Sequence, residues 1–202
     1  LRLGLEDTSA AAIKKHRFKH RSKDVGYLAY KLGWLLERRA SEQEDEQAQN
    51  EAAFEAYLVA NHCLATESFV LMRIVSLARK LKKYQYVRKA LRQLAARTSD
   101  INECASLWYQ SGLVALYLEE DPQTAKLALE RAIELSPTFT PALAKLGELA
   151  LEAGDISALR RCFSDEIESL DRQLQELDRD GADVEDKSVL RSYLRHTLMR
   201  RC

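Results

Sequence analysis

Two glycines stand inside patterns that otherwise read as helix. Gly112 lies in LWYQSGLVALY and Gly147 in LAKLGELAL, 35 residues apart. A glycine in a helix interior costs about 1 kcal/mol relative to alanine, so a repeated placement implies a repeated compensation. Close approach of a neighbouring backbone is the compensation expected. The spacing extends beyond the glycines: Ala125 and Leu159 are 34 apart, as are Leu129 and Phe163. Ala53, Tyr57 and Ala60 lie 34 before Val87, Leu91 and Leu94. Val87 and Leu91 match Ala125 and Leu129 with four additional residues in the intervening turn. Leu32-Gly33 matches Leu146-Gly147, but Gly33 stands 20 residues before Ala53 where 12 are expected, which puts an eight-residue insertion in SEQEDEQ. A period in this range means helix pairs that cannot bury their apolar faces singly and therefore stack.

Residues 25–175 are read as four such pairs, about 25–67, 68–101, 102–139 and 140–175. Lys82-Lys83 and Asp121-Pro122 part helices within pairs, and Pro122 suits a first helical turn, where its missing N–H is not needed. The polar stretch ASEQEDEQAQN reads as a loop or a solvated helix extension. Residues 1–24 form a basic N-terminal helix or arm, with Asp7, Thr8 and Ser9 as candidate caps. Residues 176–202 hold a linker broken at Gly181 and a capping helix, SVLRSYLRHTLMRR. Val189, Leu190, Tyr193, Leu194 and Leu198 are expected to cover the last pair, because an open end of a stack exposes apolar surface. At least seven helices and no sheet are expected.

Composition agrees and sets limits. Seven glycines and three prolines in 202 residues leave few tight turns, which favours long helices. The formal charge is zero, from 31 basic and 31 acidic residues. That balance argues against DNA and makes RNA an improbable partner, since nucleic-acid proteins usually carry a basic excess. No run approaches the roughly 18 apolar residues of a membrane-spanning helix. Cys63, Cys104, Cys162 and Cys202 are scattered with no C-x-x-C pair, so free thiols in a reducing compartment, the cytoplasm, are expected. The chain starts at Leu1, so it is expected to be a piece of a longer protein.

Little here points to chemistry. His16 and His20 share a helical face, a geometry that can hold zinc. Lys15, Arg17, Lys19 and Arg21 surround them and repel a dication, so no metal site is expected. The run 14–23 is a solvated face or a contact for an anion. His62 and Cys63 point about 100° apart on a helix and do not form a catalytic pair. No phosphate loop, nucleophile elbow or H-E-x-x-H motif occurs. No catalytic residue and no cofactor are expected.

The repeated residues resemble the tetratricopeptide repeat, which sets an aromatic and Leu-Gly on the first helix of each pair, Ala-x-x-x-aromatic-x-x-Ala on the second, and Pro before the next. Leu146-Gly147, Gly154-Asp155 and Phe163 match in the fourth pair, and Trp108, Gly112, Ala125, Ala132 and Pro137 in the third. Leu32-Gly33, Ala53, Tyr57 and Ala60 match in the first. The second pair departs most, with Val75 in place of glycine and no proline. The resemblance implies an all-α solenoid of antiparallel helix pairs with N- and C-terminal capping helices. It also implies a concave face lined by the first helices.

Carried over by register, that face comprises Tyr27, Tyr30, Lys31 and Trp34, then Phe69, Met72, Arg73, Ser76 and Arg79. Tyr109, Gln110, Leu113 and Tyr117 follow, and Lys145, Glu148 and Glu152 complete it. Aromatic residues, Met and Arg are enriched at protein interfaces. Some members of the family clamp a chaperone's C-terminal carboxylate with Lys and Asn. Tyr30, Trp34 and Arg73 occupy the corresponding places here, which argues against that ligand. The expected function is a scaffold or adaptor that binds a peptide or helix of an acidic protein partner; homo-oligomerisation stays open. The rival readings are a regulatory or substrate-presenting domain of a larger enzyme, such as a transferase, and a helical-repeat RNA-binding protein.

Overall fold

A computed structural model of the chain describes residues 23–40, 45–179 and 184–201. The described residues are all-α: nine helices and no strand. The chain divides into two compact units, Leu1–Arg97 and Thr98–Cys202. The expected N-terminal helix, with its caps, and the break at Gly181 lie outside the described residues.

The first unit holds α1 (Lys23–Ala40), α2 (Glu46–Cys63), α3 (Ser68–Lys80) and α4 (Tyr84–Ala95). α1 packs on α2 and α3 on α4, and α2 joins the two pairs through α3. Residues 41–44 of the insertion lie outside the described residues, and α2 begins at Glu46, inside the acidic stretch; α1 and α2 each reach 18 residues where α3 has 13. Asp45 caps α2 by accepting from the Ala48 amide at 3.4 Å. The recurring small and large residues form the core. Ala53, Tyr57, Ala60 and Val87 are fully buried, with Leu91 nearly so.

The second unit holds α5 (Ile101–Leu118), α6 (Pro122–Leu135), α7 (Thr140–Glu152), α8 (Ile156–Arg179) and α9 (Val184–Arg201). α5 pairs with α6 and α7 with α8, while α6 meets α7 and α9 lies on α8. Leu129 and the small residues Ala105, Ala132 and Ala142 form a buried core, covered by Trp108, Tyr109, Phe139 and Leu146 among others. Asp100, Asp121 and Asp155 cap α5, α6 and α8 by accepting backbone N–H groups at 2.8–3.0 Å, each contributing about 1 kcal/mol.

Two expectations need correction. A Cβ added at Gly33 would lie 2.8 Å from the buried Tyr57 ring, and one at Gly112 would lie 3.1 Å from Leu129 and 3.3 Å from the Ala125 carbonyl oxygen. Those two glycines do permit close approach. Gly147 does not: its Cβ would meet Cys162, Leu159 and Phe163 at ordinary distances of 3.7, 3.9 and 4.0 Å. The second correction concerns α9. Leu190 and Leu194 are half-buried on α8, but Val189, Tyr193 and Leu198 are exposed at 54%, 63% and 42%. The buried residue of the seam is polar: Thr197, which donates to Glu166 Oε1 at 3.3 Å. The same hydroxyl lies 3.1 Å from the Tyr193 carbonyl oxygen of its own helix, so the polar contact across the seam competes with an intrahelical one.

Candidate partner-binding site

In the first unit the expected face is built by α1 and α3. Tyr27, Lys31, Trp34, Met72, Ser76 and Arg79 are exposed on it. Trp34 is held by a cation–π contact, with the Arg38 guanidinium carbon 5.7 Å from its ring. Tyr30 is different. It packs edge-on against Phe69 at 4.8 Å and tilted against Tyr57 at 5.6 Å, joining α1 to both α2 and α3.

Beside these rings runs a polar chain absent from the sequence expectations. The Tyr57 hydroxyl donates to Glu37 Oε2 at 2.8 Å, and Glu37 Oε1 lies 4.0 Å from Arg73 Nη1. Burial, and then the Glu37 carboxylate, push the Tyr57 hydroxyl above the ordinary tyrosine range, so it stays a donor. A hydrogen bond with Tyr30 and the Glu37 charge strengthen the Arg73 cation against the opposing effect of its own burial. Arg73 is thus a positioned cation at the edge of an aromatic patch. Glu37 escapes sequence reading because it sits in a helix end dominated by Arg38 and Arg39.

In the second unit Tyr117 is exposed, while Tyr109, Gln110, Leu113 and Lys145 are half-buried. Tyr109 packs edge-on against Phe139 at 5.5 Å. Lys145 donates to the Tyr117 hydroxyl at 2.8 Å and to the Glu148 carboxylate. Burial pulls the Lys145 ammonium down, but Glu148 and Tyr117 more than offset it and leave its pKa above the ordinary lysine value. Trp34 and Tyr30 belong to one unit and Tyr109 to the other.

Each unit also carries a groove between its two second helices. In the first unit it lies between α2 and α4, holds about 450 Å³ and is floored by Leu71 and Ile74. Asn61, His62, Tyr86, Lys89, Gln93 and Arg97 line it, with no carboxylate. Arg97 donates to the Glu67 carbonyl at 3.1 Å and to Asn61 at 3.4 Å. His62 faces this groove and Cys63 faces the core, so the two do not meet. In the second unit the groove between α6 and α8 holds about 600 Å³. Leu146 and Leu149 line its floor, and Glu130, Glu152, Asp155 and Asp165 its sides, with Lys126 and Arg161.

Among the described residues no group of three or more His, Cys, Asp or Glu side chains is placed to hold a metal, and no helix is long and apolar enough to cross a membrane. His16 and His20 lie outside the described residues. No protein-family model and no curated protein match the chain. Two solved structures of MamA are similar to it. One has a TM-score of 0.47 at 16% identity, over 88% of this chain and 92% of that one. The other has 0.44 at 17%, over 76% and 90%. Neither likeness is close enough to carry a functional inference.

Proposed function

We propose that the chain is a protein-interaction scaffold of four tetratricopeptide-like helix pairs over residues 25–175. Its principal ligand is an acidic peptide or helix bound on the α1–α3 face of the first unit. One observation carries the reading: Trp34, Tyr27 and Met72 stay 41%, 43% and 59% exposed beside Lys31, Arg73 and Arg79. Rings lose little entropy when they bind, and an aromatic patch rimmed by cations suits apolar anchors flanked by carboxylates. Tyr30 and Tyr109 serve as supports, because each is already packed against another ring. Tyr117, Gln110 and Lys145 form a lesser patch in the second unit.

The test is fluorescence anisotropy with a labelled acidic peptide carrying two Leu or Phe anchors. Trp34→Ala should weaken binding by about 1–3 kcal/mol, the hot-spot range, with unchanged helicity. Charge reversal at Arg79 should chiefly slow association and reduce its salt dependence. Equal affinity for wild type and Trp34→Ala would refute the site. Tighter binding of single-stranded RNA, with a steep salt dependence, would favour the RNA-binding alternative.

A further inference from the structure

We infer that the groove between α6 and α8 is a second docking site, and that its occupant is a basic amphipathic segment of a partner protein. The groove is the larger of the two described above, and Leu146 and Leu149 give it an apolar floor on which a leucine-sized anchor can be buried. Its sides carry Glu130, Glu152, Asp155 and Asp165 against two cations, Lys126 and Arg161. Lys126 lies 4.0 Å from Glu130, an exposed pair that partly offsets both charges. Asp155 is engaged as the cap of α8, accepting from the Ala158 amide at 2.9 Å. Glu152 and Asp165 are exposed and make no ion pair or hydrogen bond among the described residues.

Two exposed carboxylates flanking an apolar trough suit a segment that presents aliphatic anchors on one side and Lys or Arg on the other. The equivalent groove of the first unit has an apolar floor too, but Lys89, His62 and Arg97 in place of carboxylates. It is therefore the charge of the rim, rather than the shape of the trough, that selects a basic occupant here. Together with the acidic-peptide face on α1 and α3, this second site makes the chain an adaptor for two partners of opposite charge.

The probe is a labelled fourteen-residue helical peptide with leucines at i, i+4 and i+7 and lysines between them, titrated against the full chain at low salt. Binding in the micromolar range is expected. Glu152→Lys with Asp165→Lys should weaken it at least tenfold and should favour the same peptide with lysines replaced by glutamates. Lys126→Glu should tighten binding severalfold, which keeps the idea testable should the double variant fail to fold. Bound peptide should slow alkylation of Cys162, in the groove wall, relative to Cys104 of the same unit. Affinity indifferent to all three substitutions, or unprotected Cys162, overturns the proposal. So does sedimentation showing a dimer that the double variant dissociates, since the occupant would then be a second copy of this chain.

Discussion

The grooves behind α2–α4 and α6–α8 have the same construction and opposite charge. Both lie between successive second helices, over an apolar floor supplied by the intervening first helix. The contrast extends through the units. The first has 19 basic and 11 acidic residues, the second 12 and 20. From Ser68 to Arg97 there are nine basic residues and no acidic one. The zero net charge is thus a sum over two unlike halves, and the balance that argues against a polyanion for the whole chain says much less about the first unit. Packing demands recur with the period because every pair must bury the same face. Surface charge is under no such demand and follows what each unit meets.

Helix spacing offers the sharpest way to test how far the units differ. Gly33→Ala forces a methyl against the fully buried Tyr57 ring, and a loss of about 1–3 kcal/mol is expected in urea unfolding. Gly147→Ala meets only ordinary contacts, so a gain of about 0.5–1 kcal/mol should follow from helix propensity and a stiffer unfolded chain. If both variants lose stability equally, the close approach in the first pair is not special to it.

The turns inside the last three pairs supply the next test. Lys82, Glu120 and Gly154 occupy equivalent turns, with φ of 56°, 55° and 68°. This left-handed conformation costs a side chain about 1 kcal/mol and costs glycine nothing. Lys82→Gly and Glu120→Gly should therefore each stabilise slightly, by up to about 0.5 kcal/mol after the entropy of the unfolded chain is counted. Gly154→Ala should destabilise by about 1 kcal/mol, although nothing lies within 4 Å of the added methyl. A neutral result at all three positions would mean that the turns relax.

These particulars separate what the sequence discloses from what it hides. The helix pairs are legible because Ala53, Tyr57, Val87, Leu91, Ala125 and Leu129 recur at fixed spacing and all are buried. The insertion is legible in position but not in form, since a polar acidic stretch suits a loop and a solvated helix equally. Register places Tyr30 and Tyr109 on first-helix faces, but it cannot show that Phe69 and Phe139 cover them. The Glu37 chain links residues 20 and 36 positions apart, and the Thr197–Glu166 bond spans 31. Contacts that distant have no local pattern. The charge partition is written plainly in the residues, but it becomes visible only once the boundary at Arg97 is known.

The smallest effect expected is an ionic one, and it again sets one unit beside the other. Lys187 on α9 lies 2.9 Å from Asp178 on α8, and Lys80 on α3 lies 2.5 Å from Glu46 on α2. In each pair the ammonium, first by its hydrogen bond and then by its charge, holds the carboxylate below its ordinary pKa, 3.8 for Asp178 and 4.5 for Glu46. A depressed carboxylate contributes its stability above the unfolded value and loses it as pH falls through the folded one. Both carboxylates are solvent-exposed, so the contribution is small and screened by salt. Lys187→Met and Lys80→Met should each be slightly less stable than the parent at pH 7, and the deficit should vanish as pH falls below these values. The two should nevertheless differ in reach. Lys80 joins helices that also share buried apolar contacts, whereas the described residues of low exposure on α9 are Lys187, Leu190, Leu194 and Thr197. Hydrogen exchange at pH 7 should therefore show Lys187→Met loosening the whole of α9, and Lys80→Met leaving α3 unchanged. Equal protection of α9 in the parent and in Lys187→Met would assign its docking to the Thr197–Glu166 bond instead.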